Sequence, residues 1–420
     1  MFRIHIYLSL YYFLKAFFLP VSINLQKKKI KKILLSQSKK KELIFSSQCR
    51  IAFLYILKFF KNEDKIKKEI IFCSYNLPEM VNIAKNLNYK IKFCDLDYKN
   101  GFLKEVEFKK LISKKTKAIV LTNMFNNFKQ SMKIKKIAKK NNIYLIEDNA
   151  IYFDNFTKFG KKIIYSGSIG DFSIYSFNIM KNICGMYGGA LTTNNSRFVD
   201  FYNSENKKNE TFFKKKLFSQ ITIFIILKFM SINLLYKYFL VKIIKNAHLK
   251  KWNILLHMFY PSLKFKVIKF PTYYFTKISN LAISFVYLQM RDFHQRRKNF
   301  KNRKRKNYYY YKELSKIKDK NLNLIEINDY DYQNFLDFPI LVNNKEKLNI
   351  FLLNNGIETK FIHYKNCEVI FSKKNHCKNS SLFEKQLICL PSHEKITIKY
   401  IDRVISYIKK FLDENNKSKK

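Results

Sequence analysis

Glycine and proline are scarce in this chain, with eight of the first and six of the second in 420 residues. Shortage on that scale excludes a collagen-like repeat and a Gly/Pro-rich disordered linker. Acids are short too, at 31 Asp and Glu against 81 Lys and Arg, for a formal charge of +50. On its face that surplus suggests a nucleic acid or an anionic membrane as partner. Two observations count against nucleic acid. The chain is rich in Lys, Ile, Asn, Phe and Tyr and carries a single tryptophan, Trp252, a pattern of strong A+T nucleotide bias, so its lysines read as many solvated faces. Aromatics also fail to interleave with the basic run Arg296–Lys306 as base stacking would require. No Cys-x-x-Cys pair occurs among the seven cysteines, and their number is odd. That argues against a disulfide framework and fits a reducing cytosol. Cys73, Cys94 and Cys389 lie in apolar runs, where a thiol acts as a small hydrophobe. The spacing of Cys367, His376 and Cys377 matches no common ligand pattern, so no metal site is expected.

Hydrophobic content of 47% is ample for a core. The few glycines are concentrated: six of the eight fall between 160 and 189, where even scattering would place roughly 0.6. They belong to the stretch Tyr144–Asn194, around which the chain is organised. It opens with Tyr-Leu-Ile-Glu-Asp (Tyr144 to Asp148) and passes Gly160, Gly167 and Gly170 to a strand-like run, Phe172–Phe177. Lys181 follows, then Gly185-Met-Tyr-Gly-Gly189 and a strand, Ala190–Thr193.

In chain order, residues 4–23 are strongly apolar and lack a small-residue cleavage site, so a secretory signal is not expected. A membrane-surface helix and a helix packed on the body both remain open, and Lys27–Lys41 reads as a basic link. Helices are predicted at Arg50–Phe60, capped by Ser46 or Ser47, then at Met80–Leu87, Val106–Ile112 and Ile134–Lys140. Strands are predicted at Ile70–Tyr75, Lys90–Leu96, Ala118–Thr122 and Ile143–Ile146. Such alternation implies an α/β fold, a mostly parallel mixed sheet flanked by helices, with ligands outside the carboxyl ends of the strands. Tyr75, Asn123 and Asp148 fall at such ends. Residues 212–245 are apolar with lysines dotted through, which reads as packed or interfacial helices. The tail gives strands at Phe338–Val342 and Ile357–Ile362, helices at Glu346–Asn354 and Tyr400–Phe411, and a turn at Leu390-Pro391-Ser392-His393. The division expected is an apolar helix and basic linker (1–45), a large domain (46–200) and an apolar helical insertion (201–275). Connecting helices (276–320), a smaller α+β C-terminal domain (321–412) and a basic tail (413–420) follow.

A lysine amine among glycine turns, downstream of a strand-end carboxylate, suits Schiff-base chemistry with a carbonyl. Pyridoxal phosphate would need, besides that lysine, a carboxylate for its ring nitrogen, donors for its phosphate and a flat side chain against the ring. Asp148, 33 residues before Lys181, is a candidate carboxylate, Ser176 a nearby hydroxyl, and Tyr75 a ring partner. The helix start near Cys49 and Arg50 offers N–H groups to an anion. Pattern alone also allows a turn aspartate and a loop lysine. His363, Tyr364 and Asn366 follow a predicted strand without an assigned role.

These residues resemble the DegT/DnrJ/StrS family of pyridoxal-phosphate-dependent sugar aminotransferases, which share the aspartate aminotransferase-like (type I) fold. The likeness is carried by Ile146-Glu-Asp-Asn-Ala150, Gly167-Ser-Ile-Gly-Asp171 and Tyr175-Ser-Phe-Asn-Ile-Met-Lys-Asn-Ile-Cys-Gly-Met-Tyr-Gly-Gly-Ala190. Ser279-Asn-Leu281, Leu288-Gln289, Gly356-Ile-Glu-Thr359 and Leu390-Pro-Ser-His393 continue it in family order, from about 46 to 412. The resemblance implies that Lys181 is the catalytic Schiff-base lysine, Asp148 the partner of the pyridine nitrogen, and Ser176 a phosphate ligand. It further implies that Tyr75 stacks on the ring, that Cys49-Arg50 occupies the phosphate loop, and that Asn280 reaches the phosphate of a neighbouring subunit in a homodimer. The chain departs from the family at Ile151, at Gln48-Cys49-Arg50 and at Tyr187. Family dehydratases replace the lysine; this chain keeps it. The expectation is a cytoplasmic enzyme moving an amino group, from a donor such as glutamate, to a nucleotide-linked keto-sugar for surface polysaccharide or glycan synthesis. The alternative is a degenerate member acting as a membrane-associated scaffold.

Overall fold

Seven short runs of β-branched and aromatic residues pair into one sheet. Its strand order is Glu42–Ser46, Gly189–Thr193, Phe172–Ser176, Tyr144–Asp148, Thr116–Thr122, Glu69–Cys73, Lys90–Cys94. Neighbours are parallel except on both sides of Gly189–Thr193, which runs against its two partners. The computed structural model describes residues 5–125, 128–151, 153–208, 214–250, 252, 270, 272–326, 335–361 and 364–417. Alternation along a strand feeds two cores: Ile71 and Cys73 enter one cluster, Ile70 and Phe72 the other. A sheet covered on both faces has no solvent side, which is why its inner strands read as continuous apolar runs.

A second sheet of three antiparallel strands, Leu322–Leu324, Asp337–Val342 and Leu387–Pro391, carries the helices Lys345–Asn354 and Ile398–Lys417. One apolar cluster, holding Ile71 and Leu121 with Phe338 and Leu390, joins it to the large sheet.

Four expectations are corrected. The stretch read as a basic link is mostly a helix, Ile23–Ser38, because Gln26, Ile30, Leu34 and Ser38 recur every four residues and bury one narrow face beneath the lysines. Neither Ser46 nor Ser47 caps the next helix: Gln48 stands at that position without a side-chain cap, and Ser46 Oγ donates to the Gln48 carbonyl at 2.7 Å. The segment from Ile357 forms no strand within the described residues, only a single bridge between Lys360 and Cys389, and Ile362 lies outside them. Leu390 and Pro391 end a strand rather than form a turn; proline is tolerated there because it closes the pairing, opposite Asp337.

The N-terminal apolar stretch packs on the body by one face. Ile6, Leu8, Phe13 and Ala16 are buried, and the Phe13 ring lies 4.9 Å from Phe224 and 5.7 Å from Phe285. Phe224 belongs to the helix Lys214–Met230, so the two apolar stretches meet. Among the described residues, no helix is long and apolar enough to cross a membrane. All seven cysteines are buried free thiols.

Candidate active site

The carboxyl ends of the central strands open into a cavity of about 260 Å³ lined by Gln48, Cys49, Arg50, Asp148, Ser176 and Lys181. Five of the seven site residues predicted from sequence therefore share one cavity. The C-terminal segments close its far side with Phe335, Asp337, Lys360 and Tyr364.

Each feature has a local cause. Gly189 pairs with Ser46 on one side and Ser176 on the other, at the end of the reversed strand. A Cβ there would stand 2.5 Å from the Cys49 nitrogen and 2.6 Å from the Gln48 carbonyl carbon. Only glycine lets the strand end press against the start of the Cys49–Glu63 helix, where the first N–H groups have no helical acceptor. Those groups and the positive end of the helix dipole face the cavity beside Ser176, a setting suited to a phosphate.

Asp148 ends its strand almost fully buried, and its Oδ1 accepts from the Ala150 N–H at 2.9 Å. Burial raises its carboxyl above the usual carboxylate range, against the pull of the Ala150 N–H and of Lys181. Adjacent Glu147 does different work. Its carboxylate accepts from the N–H groups of Gly167, Ile169 and Gly170 at 2.8, 3.0 and 2.9 Å and from Asn123 Nδ2 at 2.9 Å. It thereby fixes the glycine turn against the strand end, a role the strand-end pattern left unassigned.

Lys181 sits in a tight turn, its N–H donating to the Asn178 carbonyl at 3.0 Å. Two longer ties hold that loop. Gln289 bonds both backbone groups of Cys184, donating to its carbonyl at 2.7 Å and accepting its N–H at 3.1 Å. Arg303, buried, donates to Asn182 Oδ1 and to Glu394 Oε1, the latter at 2.6 Å. Burial lowers the Lys181 amine to about 8; the positive charge of Lys360 adds to this, and Asp148 opposes it. Arg50 stays fully cationic: burial works against its charge, but Glu79, with which it forms an ion pair, and Tyr274 hold its pKa above the usual value. Lys360 is paired with Asp337 at 2.6 Å.

Two predicted residues lie elsewhere. Tyr75 is buried away from the cavity wall, its ring 5.3 Å from Phe383 and 6.0 Å from Tyr364. The chain turns inward there because Tyr75 and Asn76 pair with Asn366 and Lys365, and the aromatics that line the cavity are Phe125, Tyr187, Phe335 and Tyr364. Asn280 opens the helix Asn280–Arg291 and is exposed, outside the cavity of its own chain. Ile151 and Tyr187, two of the departures noted above, both line the wall. Lys360 and Asp337 were missed, since no motif flags a lysine after a lone Gly-x-x-Thr.

The donor set fits pyridoxal phosphate: an amine, a buried carboxylate, a hydroxyl and a helix start converge on one cavity. Comparison with known proteins agrees. The sequence model of the DegT/DnrJ/EryC1/StrS aminotransferase family matches residues 36–205 and 270–409. The chain is 32% identical over 136 residues to uncharacterized protein MJ1066 of Methanocaldococcus jannaschii, covering 32% of this chain and 34% of that one. It is 30% identical over 132 residues to the GDP-perosamine synthase of Escherichia coli O157:H7, covering 31% and 35%. These alignments span about a third of each relative's length. Among solved structures, the Helicobacter pylori PseC aminotransferase involved in the biosynthesis of pseudoaminic acid superposes with a TM-score of 0.69 at 15% identity, covering 96% of both chains.

Proposed function

Because the chain belongs to the DegT/DnrJ/EryC1/StrS aminotransferase family, we propose that it is a pyridoxal-phosphate-dependent aminotransferase acting on a keto-sugar carried by a nucleotide. The observation that carries the reading is the meeting of Lys181, Asp148, Ser176 and the Cys49 helix start around one cavity. Bound there, pyridoxal phosphate supplies the electron sink for the pair left behind when a donor's α-proton departs. Lys181 would hold the cofactor, and its Nζ is the base placed to carry that proton. An amine with a pKa of about 8 keeps roughly a tenth in the basic form at neutral pH, against under a thousandth for an ordinary lysine. Asp148 keeps the ring nitrogen protonated, and Ser176 with the Cys49 and Arg50 N–H groups holds the phosphate. Tyr364, rather than Tyr75, is the aromatic placed to meet the ring. Arg50 and Lys360 line the mouth, each paired with an acid, Glu79 and Asp337, and are the cations a nucleotide's phosphates would meet there.

In this reading glutamate is the donor, the product feeds surface polysaccharide or glycan synthesis, and the large domain (46–200) binds the cofactor while the small one (321–412) closes over it. Asn280, exposed at a helix start, completes the phosphate site of a second copy, making the enzyme a homodimer working in the cytoplasm at the inner face of a membrane. The relative named GDP-perosamine synthase supports the nucleotide-sugar class. The test is a half-reaction screen. Purified protein loaded with cofactor is mixed with single amino acids, then with keto-sugar nucleotides, and its visible absorbance is followed. Loss of the band with glutamate and its return with one sugar nucleotide is expected; no change with any donor overturns the proposal.

A further inference from the structure

Apart from the last residues, 410–420, the family match leaves out residues 1–35 and 206–269. Those are the two apolar stretches, and the structure brings them together. Lys228 Nζ donates to the Ile6 carbonyl at 2.9 Å, and Phe13 stacks on Phe224. Their outward faces are bare among the described residues: Leu10, Phe17, Phe18, Phe218, Phe229 and Phe239 are each more than half exposed. The helix Lys214–Met230 is apolar all round yet buries only part of itself against the body. A helix of that kind is stable in water only when something covers its outer side.

Charge decides what covers it. Residues 1–41 contain no Asp or Glu, and neither do residues 214–250, although the average for the chain would put about six acids in stretches of that length. The exposed charged side chains they carry are all cationic: Lys242 within the bare stretch, Lys250 beyond it, and Lys28, Lys29 and Lys32 on the helix Ile23–Ser38, which shares the same apolar cluster. Acids reach these elements from outside: Asp292 accepts from Tyr12, Asp154 accepts from Gln37, Glu42 is paired with Lys31, and Glu394 lies 3.5 Å from His5. A two-fold contact between copies would set this acid-free surface against itself, like charge on like. An anionic lipid surface matches both its apolar side chains and its cations. The 17-residue helix is about 25 Å long, short of the bilayer's hydrocarbon thickness, so it lies along the membrane rather than across it.

We propose that the outer face of 10–18 and 218–243 seats the enzyme on an anionic lipid bilayer. The proposal does not depend on the aminotransferase reading, since a protein without activity would dock equally. The experiment sediments the full chain with phosphatidylcholine vesicles, with and without phosphatidylglycerol. Partition onto the anionic vesicles should exceed that onto neutral ones by about tenfold or more and fall as salt rises. The exposed double variant Phe17→Asp/Phe229→Asp should lose over tenfold of that partition. Lys242→Glu should lose about fivefold per unit of charge changed. Thermal unfolding that matches the wild type shows that the variants remain folded. Absence of vesicle binding, equal binding to both vesicle types, or binding unchanged in the double variant overturns the proposal. So does a double variant that becomes monomeric without losing vesicle binding, which would assign the face to a contact between copies.

Discussion

Lys181 is the residue on which the proposed chemistry turns, and its depressed pKa has a cost in stability. An amine at about 8 in the folded chain stands near 10.4 in the unfolded one. Between those values the unfolded chain binds more protons, so stability rises with pH; below about 8 the penalty is present in full, and above 10.4 it is gone. Lys181→Met removes the charge while keeping the side chain's bulk. In cofactor-free protein at pH 7 the variant should be more stable than the parent by about 2–3 kcal/mol, the difference shrinking through the window from 8 to 10.4. Urea unfolding at pH 7 and at pH 10.5 checks this, and an equal difference at both would show that Lys181 is not desolvated. Glu147 shows the opposite use of a buried charge. Three backbone N–H groups and an amide satisfy it, and Glu147→Gln, which turns a donor toward donors, should cost about 3 kcal/mol in the same assay.

At the scale of elements, the sheet positions the site through a close approach of backbones. The reversed strand Gly189–Thr193 meets the start of the Cys49 helix where no side chain fits. Gly189→Ala should therefore weaken cofactor binding at least tenfold, by levering the helix start away from Ser176, with a stability loss of about 1–3 kcal/mol. Equilibrium dialysis of pyridoxal phosphate would detect it, and an unchanged affinity would show that the helix start does not hold the phosphate. Six of the seven strands of the large sheet were legible, the inner ones because both faces are buried and their apolar runs end near polar or acidic residues, as at Asp148. The edge strand Glu42–Ser46, half-buried and directly after the lysines, was read as linker. The cluster of glycines marked the site as well. The Ile23–Ser38 helix was hidden because it buries only one residue per turn, and two of those four, Gln26 and Ser38, are polar. The displacement of Tyr75 from the cavity could not be foreseen, since it depends on a two-residue pairing between distant segments, Tyr75 with Asn366 and Asn76 with Lys365. Lys360 reaches the cavity by a single bridge to Cys389, a contact no local pattern announces.

The whole molecule joins an α/β aminotransferase core to two apolar additions that the family model leaves unmatched. The core holds the residues proposed as catalytic, and the additions carry the bare apolar face. Assembly links them, because the Asn280 proposal requires a second copy: light scattering should give twice the 50.7 kDa chain mass. The proposed chemistry requires a covalent bond between one amine and one cofactor. Protein loaded with pyridoxal phosphate, reduced with borohydride and digested, should carry the cofactor's mass on the peptide containing Lys181 and on no other lysine in stoichiometric amount. Recovery of that peptide unmodified, or label spread over surface lysines, would contradict the account.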